Sequence, residues 1–457
     1  MTRIYRHSFR YHYGRLWLKF SFRKLFYRRF EIRGREKFHW KEPLIFAPNH
    51  QNAAMDALIF VTILRQQPVF LSRADIFANP MIRSILNLLK MMPVWRIRDG
   101  FRSVPQNEET FKKCAEVLAH RKTLILFPEG NHDDKRRIRP LQKGLARIAF
   151  ETELESDFKL GLKVVPVGID YSDYEKVRGR VTVSFGDPIR VADLEPHFRK
   201  DPQIAYRELN RIITERIRPH IIDIPWTDVY DTVMDLRTIY GKRFRELLNL
   251  PGKTLFNKFD ADKLLIAMIS RIREHEDESL LKIHEKTDRY RQLLKKLKLR
   301  DHVPGNAPYP LSRMIRDTIL LILGFPLMAA GFVSNFHLVK FPEWVSRNLF
   351  KDPQFKATVA YILSFPVMFP IFYALQSLLI WVLFKSWIIL LVYMATLLPG
   401  AIFIIHYYFW FKKWRARLRF NRMMKQKNAD AIEMTSLRKE IIEGMDLLTA
   451  KYGKTTS

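Results

Sequence analysis

Apolar and polar positions change rhythm along this chain, and each change marks a different kind of structure. From residue 30 to about residue 196, short apolar runs alternate with segments whose apolar residues recur at helical spacing. The runs lie at 44–47, 68–71, 93–95, 123–127, 164–167 and 181–185, and the helical patterns near 53–64, 79–91, 107–120 and 141–152. This alternation predicts an α/β fold, a mixed, largely parallel sheet flanked by helices. In folds of that kind, ligands gather at the carboxyl ends of the strands.

The rhythm shifts after residue 200. Residues 203–300 are charged, helix-forming sequence broken at Pro251-Gly252, and Pro304-Gly305 follows shortly after. We read 201–310 as a helical insertion or linker. Then come three stretches without Asp, Glu, Lys or Arg, at 318–339, 358–384 and 386–411. Each meets the roughly 20 apolar residues that cross a bilayer. Residues 311–411 are therefore expected to form a transmembrane region. The remaining 412–457 open with a basic segment and end in an amphipathic tail helix.

At the other end, residues 1–40 hold 12 Lys or Arg against 2 acids, interleaved with Phe9, Tyr11, Leu16, Trp17, Phe20, Leu25, Phe26 and Tyr27. That pattern predicts a basic amphipathic helix over 1–29, suited to the membrane interface. Lys and Arg recur throughout its first 25 residues, unlike the apolar core of a secretory signal.

The whole chain of 457 residues carries a formal charge of +31, which calls for a polyanionic partner. The uncharged stretches favour the anionic face of a phospholipid membrane, and without an accompanying recognition motif nucleic acid is not expected. Cys114 is the only cysteine, so no disulfide can form within the chain. Basic flanks at Arg313/Arg316 and at 412–419 both favour the cytoplasmic side, which asks for an even number of crossings. Either 318–339 is a re-entrant or interfacial hairpin, or one of the longer runs turns back. We expect two full crossings after residue 357, joined by a tight turn near Lys385.

Candidate chemistry follows directly on two of the predicted strands. His50 and Asp56 stand in the run Asn49-His50-Gln51-Asn52-Ala53-Ala54-Met55-Asp56. An imidazole has a pKa suited to taking a proton near pH 7, and a carboxylate can fix its tautomer and stabilise the imidazolium. The second block, Phe127-Pro128-Glu129-Gly130, ends the 123–127 run in a turn where Gly130 lets backbone N–H groups approach a ligand. Glu129 could hold hydroxyls of an acceptor or brace neighbouring arginines. Lys135, Arg136, Arg137, Arg139 and Lys143 follow, with the charge to gather phosphate. Between the blocks lies Pro93-Val94-Trp95-Arg96-Ile97-Arg98-Asp99; on an extended strand Arg96 and Arg98 share a face and could clamp a phosphate, or one could pair with Asp99 or Glu129. Val164-Val165-Pro166-Val167-Gly168 would line an acyl chain or form a core strand. The cluster Asn131-His132-Asp133-Asp134 lacks zinc-ligand spacing, and no metal is expected.

In this order and spacing the four blocks resemble the glycerolipid acyltransferase family, which contains the glycerol-3-phosphate and lysophosphatidic acid acyltransferases. The match covers roughly residues 30–188, within an expected catalytic domain at 30–200. The resemblance implies His50 as base with Asp56 as its partner, Arg96 or Arg98 with Glu129 and Gly130 at the acceptor phosphate, and the last block near the acyl pocket. Five residues separate His50 from Asp56 where the family commonly has four. That spacing resembles the fungal-type glycerol-3-phosphate/dihydroxyacetone-phosphate acyltransferases, whose Pro-Val-x-Arg-x-x-Asp pattern is matched by residues 93–99 and selects Arg96. The commoner alignment selects Arg98.

The expected protein is an integral membrane O-acyltransferase, its catalytic domain on the cytoplasmic side of a bacterial cell membrane or the endoplasmic reticulum. It would move an acyl group from acyl-CoA or acyl-carrier protein to glycerol 3-phosphate or 1-acyl-glycerol 3-phosphate, with no cofactor beyond the thioester donor. Another lyso-lipid acceptor is the first alternative, and a non-catalytic lipid-binding protein on the same fold the second. The sequence carries no signal for an oligomeric state.

Overall fold

The computed structural model describes residues 4–95, 103–131, 133, 135–174, 177–250, 252, 254–306, 309–349 and 353–453. The chain divides into two compact units, Met1–Asp223 with Pro342–Val367 and Ile224–Phe341 with Met368–Ser457.

In the first unit the elements run α1 (Phe9–Phe20), β1 (Tyr27–Arg33), β2 (Leu44–Pro48), α2 (Ala53–Ile63), β3 (Val69–Arg73), α3 (Pro80–Leu88), β4 (Met91–Val94) and α4 (Ser103–Ala119). They continue with β5 (Thr123–Ile125), α5 (Lys143–Leu154), β6 (Lys163–Tyr171), β7 (Gly179–Phe185), β8 (Ile189–Arg190), α6 (Glu195–Lys200) and α7 (Pro202–Ile217). The strands form one sheet in the order β1-β7-β6-β2-β5-β3-β4, with β8 beside β6. β6 is antiparallel to β7 and β8, and every other pairing is parallel. This is the mixed, largely parallel sheet that the alternating pattern predicts.

Both faces of the sheet are covered, which is why its central strands read as unbroken apolar runs. The two-residue period of a strand sends Phe46, Phe70, Ile125, Val165 and Val167 to one face, where α1, α2 and Leu86 and Leu89 of the α3–β4 segment pack. Ile45, Ala47, Val69, Leu124 and Val164 go to the other face, against α4, α5 and α7. Burying Ala205, Leu209 and Ile213 of α7 carries this unit on to Asp223, beyond the boundary at 200 that the change of composition suggests. The basic helix anticipated over 1–29 is α1 followed by a wide turn at Ser21–Phe26, and Tyr27 already starts the edge strand β1. Cys114 is fully buried, and that burial pushes its thiol up, so it serves as a small core residue.

α13 (Pro353–Ile362) also belongs to the first unit, after α8 (Tyr230–Ile239), α9 (Gly241–Leu247), α10 (Leu255–Glu274), α11 (Ser279–Lys296) and α12 (Leu311–Leu349). Then follow α14 (Phe369–Phe384), α15 (Trp387–Lys425) and α16 (Ala429–Tyr452). Among the described residues, three helical stretches are long and apolar enough to cross a membrane: Leu311–Ser346, Thr358–Phe384 and Trp387–Lys425. The stretch 318–339, open to being a hairpin on sequence, lies inside the continuous helix α12. The anticipated turn at Lys385 is present: its φ of 48° ends α14, and Ser386 caps α15 by accepting the Ile389 N–H.

Within the second unit the tail helix α16 packs on α11. Met434, Ile441 and Met445 are buried, and Lys286–Glu440, Arg289–Glu433 and Lys296–Asp430 pairs at 2.8, 2.7 and 2.6 Å border the contact. Residues 429–452 thus complete the helical unit that the 224–296 segment begins.

Candidate active site

β2, β5 and β6 run parallel, so their carboxyl ends share one edge of the sheet, and the candidate residues collect there. β2 stops at Pro48, and Asn49 continues the ladder with its side chain: Oδ1 accepts the Ile169 N–H at 2.7 Å while Nδ2 donates to the Ile169 carbonyl at 3.1 Å. That clamp fixes the main chain where it turns into His50.

His50 Nδ1 lies 2.8 Å from Asp56 Oδ2. Asp56 is fully buried in the first turn of α2, and Oδ2 also accepts the backbone N–H groups of Gln51 at 2.9 Å and Asn52 at 2.8 Å. Its other oxygen accepts the Tyr171 hydroxyl at 2.5 Å. Burial, reinforced by the Asp56 charge, holds the Tyr171 phenol well above its usual range, so Tyr171 remains a donor. A carboxylate fed by these donors makes His50 Nδ1 a donor too, which places the lone pair of the neutral ring on Nε2. The ring stacks on Phe127, centroids 4.2 Å apart, and its side chain keeps 16% exposure.

The six-residue step from His50 to Asp56 is closed by an unusual backbone conformation. Ala53, the first residue of α2, has φ of 41°, in the left-handed region, while Met55 N–H bonds to Asn52 O at 2.9 Å. Such a conformation costs a non-glycine residue about 1 kcal/mol. It lies in the short stretch between His50 and the carboxylate that reaches its ring.

Glu129 approaches His50 from the other side. Its Oε1 accepts the His50 backbone N–H at 3.3 Å, and its Oε2 accepts from Arg139 Nε at 2.6 Å. Arg139 completes the loop by donating to the His50 carbonyl at 3.0 Å and to the Asn131 carbonyl. Burial pushes the Glu129 carboxyl up, against the opposing pull of Arg139. Gly130 has φ of 71° and bonds back to Phe127 O at 3.1 Å; a Cβ there would meet Gln142 Cγ at 3.1 Å. Glycine is what allows this turn.

The remaining candidates fall in different places. Lys143 is the first residue of α5, and its Nζ donates to Gln203 at 2.8 Å. Arg136 is buried, pairing with Asp170 and donating to the Tyr171 carbonyl, so it ties the loop after Gly130 to the end of β6. Val164, Val165 and Val167 are fully buried residues of a central strand. Arg96, Arg98, Asp99, His132 and Asp134 lie outside the described residues. Tyr171 and the left-handed Ala53 escape sequence reasoning: the first stands 115 residues from Asp56, and the second has no Gly or Asn to announce it.

Comparison with known proteins finds similarity in sequence over the same part of the chain. The model of the Acyltransferase family matches residues 29–170. Glycerol-3-phosphate O-acyltransferase 1 of Saccharomyces cerevisiae is 28% identical over 144 residues, covering 31% of this chain and 19% of the relative. The chloroplastic 1-acyl-sn-glycerol-3-phosphate acyltransferase BAT2 of Brassica napus is 27% identical over 165 residues, 36% of this chain and 43% of the relative. An uncharacterized acyltransferase of Schizosaccharomyces pombe is 24% identical over 236 residues, 51% and 34% of the two chains. The matches thus span less than half the length of each of these relatives. Among solved structures, the 1-acyl-sn-glycerophosphate acyltransferase PlsC of Thermotoga maritima aligns with a TM-score of 0.34 and 20% identity, over 46% of this chain and 77% of that one.

Proposed function

Because residues 29–170 match the model of the Acyltransferase family, we propose that this chain is a membrane-bound O-acyltransferase acting on glycerol 3-phosphate or 1-acyl-glycerol 3-phosphate. The observation that carries the reading is the 2.8 Å bond from His50 Nδ1 to a fully buried Asp56, set at the carboxyl edge of the sheet. His50 Nε2 takes the proton of the acceptor hydroxyl as its oxygen attacks the thioester carbonyl. The tetrahedral intermediate then collapses: the carbon–sulfur bond breaks, the imidazolium proton passes to the departing thiolate, and ester and free thiol leave. Base assistance of this kind is worth about 10²–10⁴ in rate. Asp56 stabilises the transient imidazolium without changing its own protonation.

The donor in this reading is acyl-CoA or acyl-carrier protein, with no cofactor or metal. Arg96 or Arg98, Gly130 and Lys143 gather the acceptor phosphate, and Glu129 shapes the turn beside it through Arg139. The three long apolar stretches and α1 hold the protein in the phospholipid membrane, with the catalytic unit on the cytoplasmic side. Purified full-length protein supplied with acyl-CoA should acylate at least one of glycerol 3-phosphate, dihydroxyacetone phosphate and lysophosphatidic acid. Absence of turnover with all three would sink the proposal. Arg96→Ala and Arg98→Ala should separate, the true phosphate ligand raising the acceptor KM.

A further inference from the structure

The basic end of α15 is built into the helical unit. Arg419 Nη2 donates to the Leu297 and Lys298 carbonyls, and Asn421 Nδ2 donates to the Tyr309 carbonyl at 2.9 Å, so this part of the helix is pinned to the segment that follows α11. Trp414 Nε1 donates to Thr318 Oγ1 at 3.0 Å, and the Tyr407 hydroxyl donates to the Leu321 carbonyl at 2.8 Å. The apolar stretch of α12 therefore begins where that of α15 ends, with Trp and Tyr placed as at a membrane boundary. Lys413 and Arg417 stand at that level.

Three cations converge there. Lys413 and Arg417 are one helical turn apart, a spacing at which like charges repel, and Arg300 comes from the segment after α11. All three bear on one imidazole. Burial holds His302 below its usual value, and Lys413, Arg417 and Arg300 push it the same way, against a weaker pull from Asp301. Its Nε2 is shielded from solvent and has no hydrogen-bond partner among the described residues. Asp301 is committed elsewhere, accepting from Arg438 Nε and from the Tyr290 hydroxyl, each at 2.9 Å. Among the described residues no carboxylate pairs with Arg300, Lys413 or Arg417, and the α15 sequence contains no acid. Arg417 lies instead over the Tyr309 ring, 4.7 Å from its centroid. An anion completes such an assembly, because its oxygens take the guanidinium and ammonium donors and relieve their mutual repulsion.

We propose that Arg300, Lys413 and Arg417 form a binding site for the phosphate monoester of an anionic phospholipid of the phosphatidic acid class, at the membrane boundary of the helical unit. Depth argues for a lipid, since Lys413 and Arg417 stand where two apolar stretches end. Charge argues for a monoester, whose phosphate carries about 1.5 to 2 negative charges near pH 7, more than a diester offers three cations. The site is separate from His50 and its test measures no turnover, so it stands whether or not the acyl-transfer reading does.

Purified full-length protein in dodecylmaltoside micelles should be titrated with phosphatidic acid carrying a fluorophore on one acyl chain, with binding followed by anisotropy. Unlabelled phosphatidic acid should displace the probe about fivefold better than phosphatidylglycerol. Lys413→Gln with Arg417→Gln should weaken binding about tenfold or more, as expected for the loss of two charge-assisted contacts. Arg415→Gln with Arg422→Gln, which removes the same charge from exposed positions of the same helix, should change it by less than about twofold. Equal losses in the two double variants, or equal displacement by phosphatidylglycerol, would reduce the binding to general surface charge and overturn the proposal. Displacement by inorganic phosphate as effective as that by phosphatidic acid would overturn the lipid assignment. A photoactivatable phosphatidic acid applied to the wild type needs no variant to fold: crosslinks within 297–306 or 410–420 are expected, and labelling confined to residues 1–223 would overturn the site.

Discussion

Asp56 and Glu129 are both buried carboxylates within reach of His50, but Asp56 bonds to its ring and Glu129 to its main chain. The donors around them differ as well. Asp56 takes two backbone N–H groups and a phenol, all neutral. Glu129 meets a guanidinium, whose pull on its carboxyl is outweighed by burial. The contrast teaches that two buried carboxylates beside one histidine can hold different parts of it, one the ring and the other the main chain. From sequence, Glu129 reads either as a ligand for acceptor hydroxyls or as a brace for neighbouring arginines, and in the fold its oxygens accept from the His50 main chain and from Arg139.

The difference can be broken most sharply at Asp56. Asp56→Asn preserves shape but presents the wrong partner to Nδ1, and kcat should fall by about 10²–10⁴ while the protein still folds. A loss under tenfold, with the folded fraction unchanged, would erase the distinction between the two carboxylates.

Arg139→Ala should act the other way. It strands Glu129 as a buried charge, which destabilises by about 3–5 kcal/mol, and the activity remaining per folded molecule should exceed that of Asp56→Asn. Urea melts together with active-fraction measurements separate the two effects. The pH dependence gives the sign of the Glu129 term. Its folded pKa is raised, so the unfolded chain releases this proton first, and wild-type stability should decline relative to Glu129→Gln as pH rises from the ordinary glutamate value of about 4 to 5 towards the higher folded one. A decline on acidification instead would show the Arg139 pairing to dominate burial.

Smaller changes sharpen the picture. Tyr171→Phe removes one donor from Asp56, a bond to a charged group worth about 1.5–3 kcal/mol; kcat should drop more than acceptor KM changes, the split expected of a positioning residue. Ala53→Gly should relieve the left-handed φ of 41° and raise stability by about 1 kcal/mol or less, with activity retained. Destabilisation there would show that the left-handed conformation of Ala53 is not a source of strain.

Much of this was legible in the chain. The central strands are buried on both faces, so 44–47, 123–127 and 164–167 stand out as apolar runs, and the turns after them carry His50 and Glu129. β1 was hidden because it is an edge strand whose Arg28, Arg29 and Arg33 interrupt the apolar positions and blend with the basic helix before it. The site was legible as a pair and a turn, but not as a network. Tyr171 reaches Asp56 only because β6 runs on past the end of β2, and Arg139 encircles His50 only once the loop after Gly130 folds back. Both depend on three-dimensional closure, which leaves no mark on local spacing.

The central claim is that His50 takes the proton of an acceptor hydroxyl, and one measurement addresses it directly: labelled acyl transfer from acyl-CoA by purified, membrane-reconstituted wild type and His50→Ala, with matched melting profiles. The account predicts ester formation on a glycerol phosphate by wild type and a loss of about 10²–10⁴ in the variant. Equal rates in the two proteins would contradict it.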